Sequence, residues 1–472
     1  MKPRLLLVLL AVLAVYAPRV ARANGRFPRA QQIVSVPGDP SRVFLRATFG
    51  VLASFDGGRR WRWLCEDAIG FSGTWDPPLA ATPDGRLWMG LEHGLRWTTD
   101  GCSMHAVPEL EGELVSDLSV SGRDVVLVTS TPKKRAAVWR VPEHGPATRM
   151  GPGLEGFYFD TIDGYGESAG VLPARPPIDA AAKSRIWVSG VRVGEKPAPH
   201  LFRSDDGGST LRELSPAWPT TGRVYIAAID PKDAARILVR QLSERGSDLL
   251  LSEDAGQSFR VVLHTAGAMF GFTSSADGAT MWAGSGDPAE GLYRSTDRGR
   301  TFAPLAKAPI FCLHRAADRL YACSNPFTEK GYAIGASPDD GVTLSPLLAF
   351  ADVLGPVACD AGAGALCDKV WPAMHATFTT GTASASAPPL PAFSATAQPS
   401  APDAGASPAP QRSSCGCRVA GHPAGQPTGL AVLGALLAGR AASRRRRRPG
   451  SALDQRMEPP GRRTSGRLTE KR

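Results

Sequence analysis

The sequence predicts an all-β chain made of one unit repeated seven times, and three observations carry that reading. A short pattern, S-x-D-x-G-x-[T/S]-[F/W], recurs along the chain. Upstream of every copy lies a run rich in β-branched and aromatic residues, bounded by Gly, Pro or Asp, as a strand is. The copies are spaced by about 43 residues, room for four short strands, which is the size of one propeller blade. Together they predict a single seven-bladed β-propeller over residues 24–372.

Taken in order, the first copy supplies Ser54, Asp56, Gly58 and Trp61, and the second, "TTDGCSM", is a weaker version around Asp100. The third, "VPEHG" at 141–145, is degenerate. The fourth supplies Ser204, Asp206 and Gly208, and the fifth Ser252, Asp254, Gly256 and Phe259. Ser295, Asp297, Gly299 and Phe302 form the sixth, and Ser337, Asp339 and Gly341 the seventh. The central acid falls at 56, 100, 143, 206, 254, 297 and 339, so only the step from 143 to 206 is stretched, by about twenty residues. The upstream runs are "VFL" (43–45), "LWMG" (87–90), "VVLV" (125–128), "IWVSG" (186–190), "ILVR" (237–240), "MWAG" (281–284) and "LYAC" (320–323).

The chemistry of the pattern is that of a turn. Its serine and aspartate can accept hydrogen bonds from backbone N–H groups, its glycine can take φ > 0, and its aromatic residue can re-enter the core. Nothing in it needs a substrate. Ring closure is expected from the first strand, near "QQIVSV" (31–36), pairing with the last blade; "PVAC" (356–359) completes that blade or packs just outside it.

The motif and its spacing resemble the Asp-box (BNR) propellers, which include sialidases, sortilin ectodomains, xyloglucanases and photosystem II assembly factors. That resemblance implies that the box joins the third and fourth strands of a blade, and that active sites of the family's enzymes lie on the opposite face. The loops on that side are 131–137, 191–200, 241–248, 285–291 and 324–331. The stretched step contains "EGFYFDTIDGYGE" (155–167), in which acids alternate with aromatic residues. Asp160 and Asp163 are the candidate catalytic acids there, since a glycosidase needs one carboxyl as acid and a second as base or nucleophile. The bland alternative is a decorated surface loop. A sialidase would also need an arginine triad; "GRFP" (25–28) offers Arg26, but no other arginine stands in a matching context. Motifs of serine hydrolases, zincins and NTPases are absent. The reading therefore leans away from an enzyme, with a glycoside hydrolase or a periplasmic assembly factor as alternatives, and it expects no cofactor.

Charge excludes another class. The chain carries a net +10, but residues 440–472 contribute +9 and residues 1–23 contribute +4, leaving −3 on the body. A phosphate-binding face needs a basic footprint that this body lacks, so no nucleic-acid partner is expected.

Eight cysteines suit an oxidising compartment. Cys312 with Cys323 and Cys359 with Cys367 could form local bridges, and Cys65 with Cys102 could join neighbouring units, although spacing does not determine pairing. None has the spacing of a zinc site.

The ends read as an address. Basic residues followed by "LLLVLLAVLAV" (5–15) and "ARA" (21–23) predict a cleaved signal peptide over 1–23. Residues 373–414 are rich in Ala, Ser, Pro and Thr and predict a disordered linker. "SSCGCR", an apolar run and an arginine cluster follow, and this order resembles the MYXO-CTERM sorting tail of exported myxobacterial proteins, over 415–450. The resemblance implies processing and lipid attachment at Cys415 or Cys417; a polar basic tail, 451–472, continues where members of that family usually stop. The expected protein is an exported monomer, tethered to the cell envelope or released, that binds a protein or polysaccharide.

Overall fold

The structure, a computed structural model, describes residues 27–72, 75–165, 185–196, 198–316, 319–327, 331–359 and 362–380. The leader, Arg26, most of the linker, Cys415, Cys417, the sorting segment and the polar tail lie outside them.

Among the described residues, seven four-stranded antiparallel sheets are each built from four consecutive strands. They span 30–64, 79–106, 115–154, 157–214, 224–265, 269–306 and 312–348, and are numbered here as blades 1 to 7. The first strands touch one another around the ring, and the strand of blade 1 (Ala30–Val36) meets that of blade 7 (Cys312–Arg315). The chain is thus a seven-bladed β-propeller.

Burial follows position in the blade. In the second strand of blade 5 (Asp233–Ser243), Ile237, Leu238 and Val239 are all buried, because blades press on both faces of this strand. The outermost strand of blade 4 (Arg212–Leu214) buries only Leu214 and leaves its other two residues to solvent.

Closure differs from the expectation. The strand Ala30–Val36 pairs with Asp39–Ala47 inside blade 1, and blade 7 already contains four strands of its own. The chain enters and leaves the ring at a blade boundary, so no strand is left to exchange. The segment 354–359 instead runs along the outside of blade 1. Trp63 N–H donates to the Gly355 carbonyl at 2.8 Å, Val357 N–H to the Trp63 carbonyl at 3.0 Å, and Trp63 and Pro356 form a parallel bridge.

A helix, Ala363–Thr380, follows and includes residues assigned to the linker from composition. Cys367, Met374 and Phe378 are buried in a cluster with blades 1 and 7, and Trp371 packs against it. These four lie at i, i+4, i+7 and i+11, an apolar stripe that overrides the alanine-rich bias around it. The boundary at 372 therefore falls inside a helix.

The bridges are also corrected. Cys65 pairs with Cys367 and Cys102 with Cys359, not Cys65 with Cys102 or Cys359 with Cys367. Cys312 pairs with Cys323 across two neighbouring strands of blade 7. The returning segment brings Cys359 and Cys367 onto blades 2 and 1, a proximity that no spacing reveals. Aromatic rings complete the seam: Phe49 lies 5.0 Å from Phe350 and 4.9 Å from Phe378, and Phe27 lies 4.5 Å from Phe327. Three disulfides indicate an oxidising environment. No described helix is long and apolar enough to cross a membrane.

Candidate functional site

The structure places the repeated turns between third and fourth strands, on one face of the ring. In blade 6 the Ser295 hydroxyl donates to Asp297 at 2.7 Å and accepts from Gly299 N–H at 2.8 Å, while Asp297 accepts from Thr301 N–H at 3.0 Å. Ser204, Ser252 and Ser337 bond their own Asp and Gly in the same way. In blade 1 Ser54 does so, and Asp56 also pairs with Arg60 at 2.7 Å. Thr98 replaces serine beside Asp100. The glycines Gly58, Gly208, Gly256, Gly299 and Gly341 all have φ between 78° and 97°. Trp61 is buried and donates to the Gly58 carbonyl, Phe259 stacks on Trp218, and Phe302 packs at the edge of the core between blades 5 and 6.

These bonds hold the box carboxylates in their charged form. The Arg60 side chain is the main cause of the fall of Asp56 to about 2. For Asp297 burial works against the charge, and bonds from Thr301 and Ser295 outweigh it and bring the group to about 2.

One recurrent element was not anticipated. Arg42, Arg86 and Arg236, each just before or within the second strand of its blade, donate to the backbone carbonyls of Thr99, Glu143 and Arg298 in the box turn of the next blade. Arg203 reaches the Ala255 carbonyl at 2.8 Å, and Trp282 reaches that of Asp340 at 2.8 Å. The signal was present in the sequence: an arginine stands immediately before "VFL", "LWM", "IWV", "ILV" and "LYA". A long cation can cross the blade interface and still satisfy a carbonyl there, so the box turn serves as the receiver of an inter-blade clasp.

The opposite face carries the second-to-third-strand loops and the candidate acids. Asp160 and Asp163 are not in a surface loop. They belong to the innermost strand of blade 4, Phe157–Gly164, because alternating aromatic and β-branched residues favour a strand there. Asp160 sits at a bulge in the pairing with Ile186–Arg192, toward the face opposite the boxes. It is fully buried, and its Oδ1 lies 3.6 Å from Arg223 of blade 5. Asp163 is nearer the box face and accepts from Ser119 of blade 3 at 2.6 Å. The two carboxyls serve different junctions and do not converge.

Arg223, Tyr225 and Arg240 complete the Asp160 cluster. The Arg240 guanidinium lies 4.7 Å over the Tyr225 ring and donates to the Met269 carbonyl. Burial raises Asp160 to about 6, with Arg223 and then Arg240 opposing it. Tyr225 is raised as well, first by burial and then by the Asp160 charge. Burial works against the charge on Arg223, but Asp160 and then Tyr225 hold it as a cation. These residues escaped the sequence reading, although Arg240 after the apolar "ILV" was a signal, since a charge inside a buried strand requires a partner. Across the ring, His314 of blade 7 bonds Ser35 of blade 1 at 2.7 Å, and burial lowers it to about 4.

Among the loops on this face, 131–137 is tied down by side-chain bonds. Thr131 and Lys134 both bond Glu113, at 2.6 and 2.7 Å, and Arg135 donates to the Gly153 carbonyl at 2.9 Å. The Lys134 N–H closes a turn on the Thr131 carbonyl, and Lys133 occupies it with φ 65° and its side chain in solvent. Outside the boxes, Lys133 is the only described residue other than glycine with positive φ.

No protein-family model matches the sequence, and no curated protein does. Solved structures with a similar fold include YCF48 from Cyanidioschyzon merolae, at 16% identity over 62% of this chain and 92% of that one, TM-score 0.44. A puromycin-hydrolyzing peptidase of Mycobacterium tuberculosis is 12% identical over 72% of this chain and 56% of its own, TM-score 0.48. The GH74 enzyme of Niastella koreensis is 13% identical over 67% and 71%, TM-score 0.25. These are likenesses of fold alone, and no activity is carried over from them.

Proposed function

We propose that this chain is an exported recognition module of the Asp-box type, held at the cell envelope by its C-terminal segment, and that it binds a protein or polysaccharide through the face opposite the boxes. The observation that carries this reading is the loop 131–137. Two bonds to Glu113 and one to the Gly153 carbonyl fix its ends, while Lys133 is held in a backbone conformation that ordinarily requires glycine. Such strain costs on the order of 1–2 kcal/mol, and an exposed lysine gains nothing locally that offsets it. Presentation of the ammonium group to a partner gives it a purpose.

The hydrolase alternative has one property in its favour, the raised pKa of Asp160, which would suit a general acid. The burial that raises it also separates it from any substrate, and Asp163 is committed to Ser119. Both acids are therefore assigned to packing between blades.

The test is an array of glycans and envelope proteins probed with the full chain, with release of reducing sugar measured on every hit. Binding without release is expected. Lys133→Gly is expected to weaken that binding at least tenfold while raising unfolding stability by about 1 kcal/mol, because glycine relieves the strain. A variant that binds as well as the wild type would refute the role of this face, and sugar release lost in Asp160→Asn would make the protein an enzyme.

A further inference from the structure

The C-terminal segment does more than close the ring. Between the outer strand of blade 1 (Arg62–Leu64), the segment 354–359 and the helix Ala363–Thr380 lies an open cleft of about 430 Å³, within the size range of small-molecule sites. Its lining includes Arg62, Leu354, Cys359, Asp368 and Trp371.

The chemistry of these groups is unspent. Arg62 donates one N–H to the Pro356 carbonyl at 3.0 Å and pairs with no carboxylate among the described residues. Asp368 is exposed and makes no ion pair or hydrogen bond with any described group. Trp371 rests on Trp63 with ring centroids 5.5 Å apart, is half-buried, and gives its indole N–H to no described acceptor. Leu354 is apolar and 55% exposed at the rim. A cation, an anion, an indole donor and an apolar edge thus face one cleft without neutralising one another.

We infer that this cleft is a binding site for a neutral saccharide unit, separate from the face opposite the boxes. An anionic ligand would meet Asp368 and a cationic one would meet Arg62. A sugar ring offers hydroxyl donors to the carboxylate, hydroxyl oxygens to the guanidinium and the indole N–H, and C–H groups to the tryptophan and leucine. The disulfides preorganise the site, since Cys359 lines it and Cys367 adjoins Asp368. Reduction would free two of its three walls, so affinity is tied to the oxidised state.

The test is calorimetric titration of the full oxidised chain with cellohexaose, maltohexaose and chitohexaose, with glycine betaine as a zwitterionic probe. At least one oligosaccharide is expected to bind. Asp368→Ala and Arg62→Ala are each expected to weaken that binding about tenfold or more. Both altered side chains are at least partly exposed, so retained secondary structure and melting temperature can be checked for each. The inference fails if no oligosaccharide binds at about 10 mM, if betaine alone binds, or if Asp368→Ala binds like the wild type. Binding lost in Lys133→Gly but kept in Asp368→Ala would refute this site and support the opposite face instead. Binding lost in Asp368→Ala alone leaves the reading of that face to its own array.

Discussion

The junction between blades 4 and 5 and the seam between blades 7 and 1 perform the same mechanical task with different chemistry. At the first, neighbouring blades are consecutive in the chain and are joined by polar bonds: Arg203 to the Ala255 carbonyl, Asp160 to Arg223, and Ile226 N–H to the Thr161 hydroxyl at 2.9 Å. At the second, the blades come from opposite ends of the sequence. There the structure uses stacked phenylalanines, a helix and two disulfides that anchor the returning segment on blades 1 and 2. A junction whose two sides are joined by a short connection can rely on bonds that are individually weak. A seam that must bring together distant segments bears the larger loop-closure entropy, and covalent bonds reduce that cost in the unfolded chain.

The largest effect should come from removing that covalent restraint. The Cys65–Cys367 bridge spans 302 residues, but with Cys102–Cys359 intact it closes a loop of only about 45 residues, so its loss in Cys65→Ser is expected to cost about 4 kcal/mol by the chain-entropy relation. Urea denaturation of oxidised wild type and variant measures this directly. A loss below about 1 kcal/mol would mean that the aromatic contacts alone close the ring.

A smaller effect is expected at the polar junction. Gly256 has φ 83°, and a Cβ there would lie 2.6 Å from Leu214 and 2.8 Å from Trp187 of blade 4. Gly256→Ala therefore combines an unfavourable backbone with overpacking and should cost about 3 kcal/mol in the same assay. A value near zero would show that blade 4 can yield at this junction.

The third prediction uses pH to set the two regions against each other. Asp160 is raised to about 6, so between its ordinary value of 3.8 and 6 the folded state holds the extra proton. Its contribution to stability is therefore present at acid pH and is lost as pH rises through about 6. His314 at the seam is lowered from 6.5 to about 4, so the unfolded state holds the extra proton and stability is lost as pH falls through the same window. The opposed slopes offset one another in the wild type. Asp160→Asn should expose the histidine slope as a fall of about 2–3 kcal/mol between pH 6.5 and 4, visible in melting temperature against pH. A flat profile in the variant would remove His314 from this account.

The repeat was readable because each copy states its own local requirement. Ser295, Asp297 and Gly299 satisfy their turn with atoms four residues apart, so the constraint is written in adjacent letters. The clasp was half-written: arginines recur before the second strands, but their acceptors lie in the next blade, 57 residues away for Arg42 and 62 for Arg236. The seam was not written locally at all. Cys359 is eight residues from Cys367, yet it finds Cys102 at a separation of 257, because the segment that carries it crosses two blades. Composition misled at residues 373–380, where alanine and threonine suggested a linker while Met374 and Phe378 continued an apolar stripe begun at Cys367. The candidate acids show the same limit, since the pattern that marked Asp160 as catalytic is also that of an inner strand, and its partner Arg223 lies in another blade.

The bridge from Cys65 to Cys367 has a further consequence outside folding. It makes nearly the whole ring a covalent macrocycle, so one proteolytic cut at any peptide bond between those residues opens a loop without releasing a fragment. In a compartment where proteases act on exposed turns, a nicked copy remains one molecule, with its blades in place and its tail attached, until the disulfide is reduced.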